Sequence, residues 1–188
     1  MPRNYSPFNP ALGLHCLPDV FLSRGRIMVR IMRKELTSPA SPSTQVPDAP
    51  WLDLDRIAMV QVTSEEKDCP IEHALVQEGK SGWRAAAKGT QTIRLIFDKP
   101  QRIIRIWLVF EDAENARTQE FLLRWSPDSG RSFREIVRQQ WNFSPPNSVR
   151  ETEDYTVELT SVTMLELIIS ADKGGGDACA SLARLRLA

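Results

Sequence analysis

Cys69-Pro70-Ile71-Glu72-His73 puts a thiol and an imidazole four residues apart, the nearest approach to a catalytic or metal-ligating pair in the chain. A zinc site needs about four such ligands. The other candidates, His15, Cys16 and Cys179, lie far away in sequence. The pair therefore reads as a buried cysteine beside an ordinary histidine. Nucleophilic catalysis needs a Ser or Cys held by a His and an orienting acid. With only His15 and His73, and no G-x-S-x-G elbow, that arrangement cannot be assembled from recognisable parts. Glu151, Glu153 and Asp154 form an acidic cluster that reads as a solvated loop face. Gly174-Gly175-Gly176 would let an anion approach the backbone, but no helix follows it, so it reads as a loop between strands. No catalytic residue, metal site or cofactor is expected.

The tryptophans are the better lead. Trp125 falls on the apolar side of an alternating run and reads as core. Trp83, Trp107 and Trp141 have two readings, core packing or an exposed ring. Exposed rings beside Arg84, Lys88, Arg138 or Arg150 would suit sugar faces, nucleobases or a partner protein. Trp83, Arg84, Lys88, Trp141 and Arg150 are the candidate ligand-binding set.

These residues need a rigid frame, and the chain supplies one. Of its 188 residues 41% are hydrophobic, enough to bury a core without disulfides or metals. From Trp51 onward the apolar period is two. Ile57 to Val62, Thr92 to Asp98, Gln101 to Phe110, Thr118 to Ser126, Phe133 to Phe143, Tyr155 to Leu159, Met164 to Ser170 and Ser181 to Leu187 each read as a strand. Asp98-Lys99-Pro100 and Ser126-Pro127-Asp128-Ser129-Gly130 read as turns, with Gly130 in the left-handed position of the second. No sustained helical period appears after residue 50. About eight short strands with turns at intervals of roughly 8–12 residues mean an all-β sandwich or barrel.

Residues 1–36 read as a tail, disordered or with a short basic helix over Phe21 to Leu36, and residues 37–50 as a Pro/Ser-rich linker. The tail and linker carry six Lys/Arg against three Asp/Glu, and residues 51–188 carry 18 against 21. A slightly acidic folded part is poorly suited to unspecific nucleic-acid binding, which depends on phosphate neutralisation. Three sparse cysteines suggest free thiols. No apolar run reaches the ~18 residues of a membrane span, and the N-terminus lacks a secretory h-region, so a cytoplasmic location is expected.

The order of features over residues 57–188 resembles the discoidin domains, the C-type domains of coagulation factors and related carbohydrate-binding modules. The resemblance is carried by Gly79-Lys80-Ser81-Gly82-Trp83, by Ile93 to Pro100, by Ile103-Ile104-Arg105-Ile106-Trp107-Leu108, by the hairpin Phe121 to Phe133, and by the last strand, Ala180 to Leu187. It implies an antiparallel jelly-roll β-sandwich, galactose-binding-like, that is non-catalytic and binds a glycan or a protein partner through loops at one end. Members that bind calcium carry an Asp-Gly after the first strand, where this chain has Val76-Gln77-Glu78-Gly79. Within the superfamily, Trp83 to Ile93 is similar to a stretch in the N-terminal domain of the animal single-strand-break repair scaffold. That likeness implies the alternative, a nucleic-acid or repair-scaffold interaction in which Arg84 and Lys88 contact phosphates.

A sandwich at 51–188 owns a complete set of strands, so the tail should contribute little to its stability. A chain beginning at Val46 is expected to melt within a degree or two of the full-length protein, since losing a surface tail costs within ~0.5 kcal/mol. A drop of many degrees, or aggregation, would show that Ile27, Val29 and Ile31 instead complete a sheet edge.

Overall fold

A computed structural model describes residues 49–76 and 81–188. The proposed tail, and the linker up to residue 48, lie outside the described residues. One helical turn, α1 (Leu54–Ile57), leads into β1 (Ala58–Val62); a second, α2 (Glu72–Leu75), precedes β2 (Trp83–Lys88). Then come β3 (Thr90–Glu111), β4 (Arg117–Ser126), β5 (Arg134–Phe143), β6 (Arg150–Ser170), β7 (Cys179–Leu182) and β8 (Arg184–Leu187).

All the pairings are antiparallel. The first half of β3 lies between β1 and the second half of β6, and β4 and β5 continue that layer outward. The second half of β3 lies between β8 and the first half of β6, making a smaller layer of three strands. A separate ribbon joins β2 to β7. Inward-facing residues of the large layer (Ile93, Leu95, Phe121, Leu123, Leu167, Ile169) meet those of the small one (Ile106, Leu108, Phe110, Leu185, Leu187), and all are 0–1% exposed. Phe110 stacks on Phe121 between the layers, centroids 5.0 Å apart. The alternation read from the sequence is the alternation of this core.

Two expectations change. Asp98-Lys99-Pro100 is no turn between strands but a bulged bend inside β3, with register shifts between Ile96 and Arg105. A bulge has no ladder partner for one residue, so Pro100 loses no hydrogen bond there. Beyond it Ile103 and Ile106, three apart, both point inward. β6 likewise joins two expected strands into one, bending near Ser161 at φ 58°. The Ser126–Gly130 turn stands where expected, with Ser129 and Gly130 both in the left-handed region.

β6 also revises the acidic cluster. Glu151, Glu153 and Asp154 are strand residues, not a loop face, because each has a cross-strand partner in β3. Asp154 faces outward to Arg105, which grips it through Nε (2.9 Å) and Nη2 (2.6 Å). Glu151 faces inward, 3% exposed, and neither carboxylate oxygen meets a donor. Glu153 accepts from Tyr155 Oη (2.6 Å) and from Gln139 Nε2 of β5 (2.7 Å), a bond that joins the free edges of the two layers.

Burial, and then the Glu153 carboxyl beside it, push the Glu151 carboxyl up to about 8, against an ordinary value of 4.5. Protonated, Glu151 no longer sets a second buried negative charge beside Glu153. The folded chain then holds a proton the unfolded chain has released, so stability is lost as pH rises from about 4.5 through about 8. The melting temperature is expected to decline between pH 5 and pH 9. Glu151→Gln should flatten that decline and melt higher than the parent at pH 9. Equal slopes in the two proteins would show that Glu151 is solvated and ionised throughout.

Candidate functional site

The connections after β1, β2, β3, β5 and β6 all emerge at one end of the sandwich, because the strand register sets Thr90, Ser170 and Glu120 side by side there. Arg117, fully buried, organises that end. Its Nε donates to Asp112 Oδ2 in the β3–β4 loop (2.7 Å), and its Nη1 to Gln119 Oε1 (2.9 Å) and to the Ala171 carbonyl. Its Nη2 reaches Ser181 Oγ of β7 (3.4 Å), and its guanidinium lies over the Phe143 ring of β5. Burial pushes the Asp112 carboxyl up, but the backbone N–H groups of Asn115 and Glu114 and the Arg117 guanidinium together hold it below its usual value.

The glycine run is likewise spoken for. Asp172 accepts from the backbone N–H of Gly174 (2.8 Å) and Gly176 (2.9 Å), so these amides serve the protein's own carboxylate.

Beside the loop end, on the outer face of the small layer, lies a hollow of about 200 Å³. Alternation along β3 turns Trp107, Val109 and Glu111 to this face, and Arg150, opposite Glu111 in β6, forms an ion pair with it. Ser81, Gly82 and Arg184 close the other side. Gly82 lies at φ +70°, and a Cβ there would fall 2.7 Å from the Leu182 carbonyl oxygen, so only glycine lets this segment approach β7 so closely. His73 supports the rim: its Nδ1 is 2.9 Å from Ser81 Oγ, and its backbone carbonyl accepts from Arg184 Nη1 (2.6 Å). An indole wall, a hydroxyl, a carboxylate and two guanidinium groups converge here. A larger hollow of about 710 Å³ runs along β1, past Val60, Val62 and Thr92, but there Arg94 is the only charged side chain and no aromatic ring is present. The smaller hollow has the chemistry.

Of the five residues singled out from the sequence, Arg150 lines the hollow. Trp83 is core, 1% exposed, its indole N–H donating to the Ser64 carbonyl (3.2 Å). Arg84 pairs with Glu114 (3.9 Å) and Lys88 with Asp177 (2.6 Å), both near the loop end. Trp141 is 36% exposed on β5, at the far edge of the large layer. The hollow therefore gathers Arg150 with Trp107, Glu111, Ser81 and Arg184, of which sequence reading had weighed only Trp107. Period-two alternation could have put 107 and 111 on one face. That β8 and the segment before β2 would border it has no local signal. Cys69 and Cys179 are free, and among the described residues no group of three or more His, Cys, Asp or Glu side chains is placed to hold a metal ion. No described helix is long and apolar enough to cross a membrane.

No protein-family model matches the chain, and no curated protein matches it in sequence. Solved structures match it in shape. A pectin binding carbohydrate-binding module superposes with a TM-score of 0.52 at 17% identity, over 70% of this chain and 90% of its own. CpGH89CBM32-5 from Clostridium perfringens, in complex with GalNAc-β-1,3-galactose, gives 0.51 at 21% identity, over 73% and 99%. The C-terminal domain of a chitobiase from Bacteroides fragilis gives 0.54 at 16% identity, over 74% and 97%. At such identities the likeness is one of fold: the described residues form an antiparallel β-sandwich of the kind these modules share.

Proposed function

We propose that this chain is a non-catalytic glycan-binding module whose ligand sits in the hollow beside the loop end. The observation that supports the reading is the combination found there: the Trp107 indole as one wall, with Ser81, Glu111, Arg150 and Arg184 around it. A sugar ring has an apolar face of C–H groups and an equator of hydroxyls. It is matched by an aromatic ring plus fixed donors and acceptors. The carboxylate accepts from two hydroxyls, and the guanidinium groups donate to ring or exocyclic oxygens. Fold kinship with carbohydrate-binding modules supports the same reading, but only by analogy. Ser81 Oγ lies 2.9 Å from His73 Nδ1, but among the described residues no carboxylate pairs with that histidine, so the orienting acid of a catalytic triad is lacking.

The nucleic-acid alternative gains no support. It needs the Trp83 ring beside Arg84 and Lys88 on an accessible surface, whereas that ring is core, 1% exposed, and no other aromatic side chain replaces it in the resembling stretch. The single-strand-break scaffold likeness rests on this same stretch.

The test is titration of the protein with galactose, GalNAc-β-1,3-galactose and pectin fragments, alongside a wider glycan array. Saturable binding to at least one glycan is expected. Arg150→Ala and Trp107→Ala should each weaken it about tenfold or more, as loss of a charged hydrogen bond or a stacked ring costs roughly 1.5–3 kcal/mol. Lys88→Ala should leave it unchanged. Silence across the array, or binding that survives both hollow variants, would overturn the assignment.

A further inference from the structure

The hollow does not end at Trp107. Trp51, just before α1, rests against that indole with ring centroids 6.4 Å apart and planes tilted by 36°. It is held from behind by its neighbour, since Leu52 N–H donates to the Leu187 carbonyl of β8 (2.7 Å). From the side, the Arg105 guanidinium lies over the Trp51 ring, 4.9 Å from its centroid. Arg105 is itself fixed by its two-pronged bond to Asp154. The ring is thus oriented without a ligand, yet 38% exposed. An aromatic ring held in one orientation while more than a third of it stays open to solvent suits a binding platform.

The dimensions point the same way. Strand spacing puts Glu111 about 13 Å along β3 from Trp107, and Trp51 lies beyond Trp107 on the side of Arg105. The hollow itself, about 200 Å³, is smaller than the roughly 300–1,000 Å³ of pockets that engulf a whole ligand. A ligand longer than one sugar unit continues outside it, and Trp107 followed by Trp51 is an aromatic path leading away among the described residues. Its borders are polar: Thr152 and Asp154 on β6, Arg186 on β8.

We propose that the outer face of the small layer is a track for a linear glycan, with one sugar unit in the hollow and successive units laid across Trp107 and Trp51. This rests on the glycan reading of the hollow and adds that the ligand is an extended chain rather than a lone terminal sugar. A protein partner fits the face less well. Among the described residues the large exposed apolar side chains are Trp51, Met59 and Trp141, on separate elements. Stable protein interfaces need contiguous area of about 1,000 Å² or more, with an apolar centre.

Chain-length dependence decides it. Calorimetric titration would use galacturonic acid and its oligomers up to the hexamer, with a neutral β-1,4-linked galactose series beside it. In at least one series the hexamer is expected to bind about tenfold or more tighter than the monomer. Trp51→Ala should remove that gain while leaving monomer affinity within about twofold, and Trp51→Phe should keep most of it. Equal melting temperatures of parent and variants exclude a folding defect. If monomer and hexamer bind equally, or if Trp51→Ala leaves the gain intact, the track is wrong although the hollow stands. If neither series nor any array glycan binds, the hollow reading falls and the track with it. If binding is found only to a protein, this face is an interface of another kind and the track is refuted.

Discussion

A single guanidinium holds the loop end together. Arg117 sits where water cannot reach it and touches Asp112 of the β3–β4 loop, Gln119 of its own strand, Phe143 of β5, Ala171 after β6 and Ser181 of β7. Moving a charged pair out of water is costly, and Coulomb attraction offsets the cost only when the remaining donors also find acceptors. Here they do. Removing either charge would strand the other, which in buried pairs costs about 3–5 kcal/mol. The end of the sandwich that carries the connections is therefore fixed by an all-or-none polar network, not by apolar contact alone.

The other connections follow the same rule on a smaller scale. Asp128 accepts from Ser126 and Ser132 in the β4–β5 turn, and these hydrogen bonds hold its carboxyl down at about 2. Asp172 closes the glycine run, and the short Glu66–Cys69 bridge closes the segment after β1. Loops whose polar groups are satisfied internally have little left to offer a ligand. That is why the candidate site lies on a sheet face beside them, where Trp107, Glu111 and Arg150 project from strands.

Much of this architecture was legible in the sequence because one face of each strand is dry. Phe121, Leu123 and Trp125 could be assigned to the core from alternation alone, and the Pro127–Gly130 turn from the conformational needs of its residues. Three things escaped. Whether β3 was one strand or two depended on a bulge at 98–103, which local composition makes look like a turn. Glu151 and Glu153 looked solvated because charge argues for exposure, and only their pairing with β3 places one of them inside. Trp83 and Trp107 had identical standing as strand tryptophans. What separates them is coverage: Trp83 points from the β2–β7 ribbon into the core cluster, while among the described residues no further layer covers Trp107. Coverage is a property of the assembled fold, so site residues were harder to read than the fold itself.

β3 and β6 each run through both layers, so the two halves of the sandwich are cut from the same strands. Layers built from different strands can slide or tilt over one another; these are tied together by strands whose pairing is interrupted only at the bulged bend between Ile96 and Arg105. The face that carries Trp107 is thereby tied through the strands themselves to the core behind it, and on the proposed reading a ligand there meets contacts already set. The converse also holds. A frame without a second arrangement has no way to relay occupancy as a change of shape. On the proposed reading, what this frame transmits is location: it would hold whatever is attached to it near the molecule bound, raising the local concentration of one for the other.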